Sequence, residues 1–352
     1  MAESRLFKPL KIGNVEIKHR IAMAPLTRLR ATVDRVPQPL MKEYYGQRAS
    51  VPGTLIISEG TFVSEACAGF ANAPGIWRED QIAGWRTITD EVHRKGSFIF
   101  CQIATNTERD GAAATEPRPM TTEEIKLATA EFAAAAKNAI DAGFDGVEIH
   151  ALNGFLVDRF LQDVSNQRSD EYGGSVENRS RFVDEIMEAV SDAVGGVAPV
   201  GIRLSPWNTF QGMGMTDPIP QFSDLIHKAR RRDLAYLHLV ESRIAGPEDA
   251  ENAVGGLDFA YKIWDRPILV AGGYQAANAQ KLVDEEHPDK DIVVTFGRYF
   301  ISNPDLVYRI REGLELSAYD RSTFYTDLAA GYVDYQASPE YLASTGVQAA
   351  VA

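Results

Sequence analysis

Residues 121–150 read TTEEIKLATAEFAAAAKNAIDAGFDGVEIH, a helix-forming segment followed by a short apolar run. Thr121 and Glu124 have the spacing of a capping box, so we predict a helix over Thr121–Ala142. The run Gly146–Ile149 is rich in Val and Ile and does not alternate with polar residues, which is typical of a parallel strand buried on both faces. The segment therefore predicts one helix–strand unit of an α/β fold.

The same kind of unit recurs along the whole chain. Strand-length apolar runs occur at Arg20–Ala24, Thr54–Ser58, Ser97–Ile103, Gly146–Ile149, Val200–Leu204, Tyr236–Val240, Pro267–Ala271 and Ile292–Phe296. Eight such alternations favour a single closed (β/α)8 barrel, the TIM barrel fold, over residues 1–352. The rival is an open doubly wound sheet, which often carries a G-x-G-x-x-G turn after an early strand; the sequence has no such turn.

Two further helices and a hairpin complete the predicted organisation. One helix begins at Ser175 and continues to about Val194. The other spans Asn303–Gly313, with Asn303 as its N-cap, Pro304 at its first position and Gly313 near its end. The alternating start of the chain, turning at Gly13-Asn14, predicts a β-hairpin that plugs the bottom of the barrel. The Ala- and Ser-rich tail beyond about residue 341 is expected to be loosely held.

Composition excludes several classes of protein. Of the 352 residues 45% are hydrophobic, yet no apolar run reaches 18 residues, so we expect no spanning helix. The start lacks a signal-peptide pattern, and two cysteines cannot make a disulfide framework or a metal site, so we expect a cytoplasmic protein without a metal. A net charge of −13 disfavours binding to nucleic acid or to an anionic membrane.

Polar residues and glycines collect where the predicted strands end. In a barrel, the loops after the strands converge at that rim and carry the chemistry. The residues at these ends are Pro25, Leu26, Thr27, Glu59, Gly60, Gln102, His150, Asn153, Arg203, Glu241, Gly272, Gly273, Gly297 and Arg298. The rim is therefore the predicted ligand site.

The rim residues suggest two chemistries. Arg203, Gln102 and Thr27 would suit the carbonyl and N–H edge of a flavin's pyrimidine ring; the alternative is that Arg203 pairs with a rim carboxylate such as Glu241. The turns Gly272-Gly273 and Gly297-Arg298 follow strands seven and eight, where many barrels hold a phosphate. The alternative for these turns is that the glycines only provide tight bends.

Longer motifs resemble one known family, the old yellow enzymes. They are Met23–Arg28, Ser58–Gly60, Ala73–Trp77, Asp145–His150, Ser165–Phe182, Phe296–Leu306 and Gly331–Tyr335. The Ser165–Phe182 string is the most specific of them, and the matches run in order from about Arg5 to about Tyr335. The resemblance covers nearly the whole chain.

The resemblance implies an enzyme that uses FMN and NADPH on an α,β-unsaturated carbonyl substrate. Pro25, Leu26, Thr27, Gly60, Gln102 and Arg203 match the contacts to the FMN ring, and Gly272, Gly273, Gly297 and Arg298 match the ribityl-phosphate site. His150 and Asn153 match the pair that binds the substrate's carbonyl oxygen. Relatives occur as monomers and homodimers, so either state is expected.

The chain departs from the family pattern at its expected proton donor. A tyrosine should stand two residues after Asn153, but this chain has Phe155, which has no proton to give. A second rim tyrosine corresponds to Phe70, and a frequent tryptophan to Ala104, which should widen the pocket. The loop Thr105–Met120 looks short, so we expect a more open site. Tyr325 remains as a hydroxyl that could reach the pocket.

These departures favour a modified reaction on a bulky biosynthetic intermediate: isomerisation, cyclisation or desaturation. A Tyr-to-Phe difference at the donor position separates reductases from isomerases among ergot-pathway relatives of the family. The alternatives are an ordinary ene-reductase that uses water as its acid, a non-redox isomerase or cyclase that keeps its flavin, and a noncatalytic barrel. The intact His150 and Asn153 make the last of these the weakest.

Overall fold

Eight parallel strands close into a barrel in the computed structural model, which describes residues 3–106, 118–196, 198–250 and 255–346. The strands, in chain order and including short ones outside the barrel, are β1 Leu10–Ile12, β2 Val15–Ile17, β3 Ile21–Met23, β4 Leu55–Ile57, β5 Thr61–Phe62, β6 Phe98–Ala104, β7 Gly146–Ala151, β8 Val200–Leu204, β9 Tyr236–Val240, β10 Ile244–Ala245, β11 Glu248–Asp249, β12 Ile268–Ala271 and β13 Ile292–Phe296. The pairing β4–β6 closes the ring. The predicted TIM barrel is confirmed, and each predicted barrel strand lies within two residues of the observed one.

Helices connect the strands and cover the outside of the barrel. They are α1 Pro39–Arg48, α2 Glu79–Arg94, α3 Thr122–Asp141, α4 Leu156–Leu161, α5 Val176–Val194, α6 Ile219–Arg231, α7 Asp258–Ile263, α8 Ala276–Lys281, α9 Arg298–Ser302, α10 Leu306–Glu312 and α11 Pro339–Thr345. Thr121 caps α3 by accepting from the Glu124 N–H, and Ser175 caps α5. Among the described residues, every helix is too short or too polar to span a lipid bilayer.

The predicted start of the helix near residue 303 is wrong. Asn303 ends α9 instead, because its side-chain amide donates to the Tyr299 carbonyl at 2.9 Å and its Oδ1 accepts from the Ser317 N–H at 2.8 Å. Pro304 lies between the two helices. The N-cap of α10 is Asp305, whereas Gly313 does end the helix, in the left-handed conformation.

The N-terminal hairpin closes the bottom of the barrel, as predicted. Strands β1 and β2 pair antiparallel, with Gly13 at positive φ in the turn. Their buried side chains pack with those that point inward from the barrel strands: Leu10, Ile12, Val15, Ile17, Ala22, Leu55, Ile57, Phe100, Tyr236, Leu269 and Val293. Because apolar residues fill this end, the polar residues of the strands are left to the opposite end.

Candidate active site

A cavity of about 790 Å³ opens at the carboxyl ends of the barrel strands, within the size range of small-molecule sites. Eleven of the fourteen predicted site residues line it: Pro25, Leu26, Thr27, Asn153, Phe155, Arg203, Gly272, Gly273, Gly297, Arg298 and Tyr325. The other three, Gly60, Gln102 and His150, are not part of this lining, although His150 contacts Phe155 within it. The fold thus brings residues that are far apart in the sequence to one cavity at the carboxyl ends of the barrel strands.

Arg203 makes no hydrogen bond or contact ion pair with the described part of the protein. Its Nε is buried and makes no hydrogen bond there, and it forms no ion pair with Glu241, whose Oε1 instead accepts from the Tyr274 hydroxyl at 2.8 Å. Burial lowers the pKa of Arg203 to about 10, partly opposed by Glu148 and Tyr236, so the side chain stays charged at neutral pH. An unpaired buried guanidinium at a pocket wall points to an anionic or carbonyl-rich ligand.

Glu148 anchors a fully buried polar network beneath Arg203. Its carboxylate accepts from Gln102 Nε2 at 2.7 Å and from the Tyr236 hydroxyl at 3.3 Å, and it contacts His238 Nδ1 at 2.7 Å. Burial alone would raise the pKa of Glu148, but the charges of His238 and Arg203 and the hydrogen bonds hold it below its usual value. The carboxylate is therefore ionised, and it fixes the orientation of the Gln102 amide.

That orientation presents the Gln102 carbonyl oxygen toward Gly60. A Cβ on Gly60 would lie 3.6 Å from Gln102 Oε1 and 3.5 Å from Cβ of Ala104, so these residues pack in direct contact. The amide therefore offers an acceptor on the pocket side of the network, which suits the N–H edge of a ring. Neither Glu148 nor His238 is among the site residues predicted from the sequence.

The glycine turns form a close-fitting wall on the other side of the cavity. A Cβ on Gly272 would lie 2.5 Å from Cγ of Glu241, so no larger residue fits without moving the backbone. Gly273 has a φ of +64°, the left-handed conformation that favours glycine. A Cβ on Gly297 would lie 3.2 Å from Leu26. This wall lets a ligand approach the backbone N–H groups closely.

The arginines near these turns differ in their pairing. Arg298 donates to both carboxylate oxygens of Asp249, at 2.6 and 3.1 Å, and this hydrogen bonding raises its pKa. Arg243 lies behind Gly272 with its Nε buried and without a partner among the described residues, and it covers the ring of Tyr274 at 4.5 Å. Asp249 and Arg243 had no motif or spacing that marked them in the sequence.

His150, Asn153 and Phe155 meet at the cavity wall. The phenyl ring of Phe155 contacts the imidazole of His150 edge-on, with 4.9 Å between centroids. Burial and the neighbouring Arg203 lower the pKa of His150 to about 3, so the ring is neutral at physiological pH, and its Nδ1 has no partner in the described structure. Asn153 adopts a φ of +58°, which places its amide on the pocket surface next to Phe155.

Comparison with known proteins assigns this site to a family. Residues 5–116 and 104–317 match the family described as NADH:flavin oxidoreductase / NADH oxidase. The chain is 48% identical to the chanoclavine-I aldehyde reductase fgaOx3 of Penicillium roqueforti (strain FM164), over 96% of this chain and 98% of that one. It is 45% identical to the probable inactive dehydrogenase easA of Claviceps fusiformis, over 97% of each. The old yellow enzyme homologue from Zymomonas mobilis superposes with a TM-score of 0.87 at 36% identity, covering 95% of this chain and 99% of that one.

The chain belongs to the old yellow enzyme family. It is a flavin-dependent NADPH oxidoreductase whose cofactors are FMN and NADPH. The residues present fit FMN, because Arg203 has a buried Nε without a hydrogen bond, the Gln102 amide is held in one orientation, and Gly272 and Gly273 line the cavity without side chains. The assignment of each predicted residue to the ring or to the phosphate stays a prediction.

Two phenylalanine rings lie together at the position where the sequence comparison with the family predicted the loss of the acid. Phe155 contacts Phe70 edge-on at 6.2 Å between centroids, and both rings line the cavity. Ala104 is buried beside Gly60. Most of the loop expected to be short, Thr105–Met120, lies outside the described residues.

Tyr325 is held at the mouth of the cavity by two buried arginines. Arg28 donates to the carbonyls of Phe324 and Gly331, and Arg30 donates to those of Thr323 and Phe324. Tyr325 itself is 54% exposed, and burial of the rest of the ring raises its pKa. Tyr325 therefore lies at the cavity lining and is partly exposed, and its role stays a prediction.

Proposed function

We propose that this enzyme acts on an α,β-unsaturated aldehyde or ketone of a biosynthetic route, and that its site without a phenolic acid favours isomerisation, cyclisation or desaturation over simple reduction. FMN, when bound, supplies hydride exchange between NADPH and the β-carbon of such a substrate. The observation that carries the proposal is the Phe155 ring, packed against His150 and Phe70 without a hydroxyl.

The carbonyl would bind to His150 and Asn153. Because its pKa is about 3, His150 is a neutral N–H donor across the physiological range. Asn153 lines the cavity, and its Nδ2 makes no hydrogen bond among the described residues. Two donors at one oxygen stabilise the negative charge that develops when hydride adds to the β-carbon.

Protonation of the neighbouring carbon is the step that this wall does not assist. A positioned acid contributes about 10²–10⁴ in rate, and Phe155 cannot act as one. The enolate would therefore persist long enough to return its hydride after a bond rotation or to react within the same substrate. Several relatives are named aldehyde reductases, including fgaOx3 and FrzD of Cladobotryum sp., which supports an aldehyde as the substrate class.

The reductase names favour a second candidate, ordinary reduction with water as the proton donor. The two candidates differ in stoichiometry. Reduction consumes one NADPH for each product formed, and so does a cyclisation in which the enolate closes the ring, whereas isomerisation needs only a catalytic amount, because the hydride returns.

The test is Phe155→Tyr, assayed anaerobically with cyclohex-2-enone and NADPH. We expect the rate of enone reduction to rise by about 10²-fold or more, because the phenol restores the missing acid. Phe70→Tyr is the matched control: it adds a phenol to the neighbouring ring and should change the rate far less. If Phe155→Tyr changes neither the rate nor the distribution of products, the missing acid does not define this enzyme.

A further inference from the structure

The side-chain amide of Asn208 has only one orientation that fits its surroundings. Asn208 is 3% exposed, and the backbone N–H of Phe210 donates to one of its terminal atoms at 2.9 Å. A backbone N–H can only donate, so that atom is Oδ1 and the other is the NH₂ group. The fold therefore makes Asn208 Nδ2 a donor.

That donor determines the orientation of a second amide. Asn208 Nδ2 donates to Oδ1 of Asn153 at 2.6 Å. Asn153 is otherwise held by its own N–H, which donates to Ser205 Oγ at 3.2 Å. Since its oxygen is turned toward Asn208, Asn153 has its NH₂ group left to offer the cavity.

We propose that Asn208 is a positioning residue that keeps Asn153 a hydrogen-bond donor toward the substrate's carbonyl. It does so through a relay of two hydrogen bonds, from the Phe210 N–H to Asn208 and from Asn208 to Asn153. Without this relay, the two ends of the Asn153 amide would be free to exchange, and the outward oxygen would repel a carbonyl oxygen. The inference rests on the proposed role of Asn153 as a carbonyl donor.

The relay also links the donor to the wall of the cavity. Phe210 and Gln211 line the cavity, and Gln211 has a φ of +57°. A Cβ on Gly154, which follows Asn153, would lie 2.8 Å from Cβ of Gln211. The segment that shapes the pocket is thus packed against the loop whose amide it orients.

Asn208→Asp tests the proposal by reversing the relay. One carboxylate oxygen would still accept from the Phe210 N–H, but the other can only accept, so Asn153 must turn its NH₂ group inward. The probe is benzaldehyde, titrated into the oxidised holoenzyme and followed by the change in flavin absorbance. We expect its Kd at pH 8 to rise by about 10–100-fold, and Asn208→Ala, which only frees the amide, to raise it by a few-fold.

Acidification distinguishes orientation from damage. The introduced carboxyl group donates again once it is protonated, so binding by Asn208→Asp should recover toward the parent value as the pH falls through the pKa of that group, whereas Asn208→Ala should show no such recovery. If Asn208→Asp behaves like Asn208→Ala at every pH, the relay does not orient Asn153 and the inference is overturned. If Asn153→Ala leaves the Kd for benzaldehyde unchanged, the proposed carbonyl site itself fails, which is a separate result.

Discussion

Replacing Arg203 with Met should change the stability of the enzyme in opposite directions with and without FMN. The guanidinium has a buried Nε without a partner among the described residues, and burial lowers its pKa to about 10. At about 1.4 kcal/mol per pKa unit, keeping this charge in the apoprotein costs at most about 3 kcal/mol. Water in the cavity reaches part of the side chain, so about 1–2 kcal/mol is the more realistic cost.

Methionine has a similar length but no charge, so the Arg203→Met apoprotein should be the more stable one. For a chain of 352 residues this corresponds to a rise in Tm of roughly 1–3 °C. With FMN the order reverses. The loss of a charge-assisted hydrogen bond to the ring should weaken FMN binding by about 10–100-fold, and the parent holoenzyme should melt higher.

The assay is thermal unfolding of both proteins, first freed of FMN and then titrated with it, with Kd taken from the quenching of free FMN fluorescence. Arg28→Met is the matched control. Arg28 is also buried but donates to Phe324 O, Tyr44 Oη and Gly331 O, so its loss should destabilise the apoprotein. An Arg203→Met apoprotein that melts below the parent would refute the reasoning, because it would mean that Arg203 already has a stabilising partner.

Two further changes test the phosphate wall and the loop that carries Asn153. Gly272→Ala should reduce the bound FMN of the purified protein, because the added Cβ meets Cγ of Glu241 at 2.5 Å. Gly256→Ala is the control, since a Cβ there has no neighbour within 4 Å and should leave the FMN content unchanged. Equal FMN content in the two variants would contradict the close fit at Gly272. Asp158, which accepts from the Gly154 N–H at 2.8 Å, has its pKa raised by burial to about 6. The contribution of Asp158 to the stability of the parent is therefore fully present below about pH 4 and is lost as the pH rises through about 6. Relative to the parent, the free energy of unfolding of Asp158→Asn should increase by up to about 3 kcal/mol from pH 4 to pH 7. A pH-independent difference in urea unfolding would argue against a buried ionised Asp158.

The barrel could be predicted from the sequence because each strand is buried on both faces and therefore leaves a continuous apolar run. Gly146–Ile149 and Val200–Leu204 are examples, and the polar residues that follow them mark the rim. The helix near Asn303 was predicted wrongly because Asn is favoured at either end of a helix. The hydrogen bond that Asn303 accepts from the Ser317 N–H, fourteen residues away, helps to place Asn303 at the end of α9, and no local sequence pattern indicates that bond.

The parts of the site that the sequence did not reveal are the pairings between side chains on different strands. Asn208 and Asn153 are 55 positions apart, and Glu148 and His238 are 90 apart. Spacing along the chain indicates which residues reach the rim, but it does not indicate which amide oxygen is already occupied or which cation has no partner. Those two facts carry the proposals made for this site, in which Asn153 is a donor to the substrate and Arg203 offers a charge to the ligand. If the proposed relay is correct, we expect a barrel with the same rim residues but with Asn208 replaced by an acceptor to keep the family motifs and bind a carbonyl poorly.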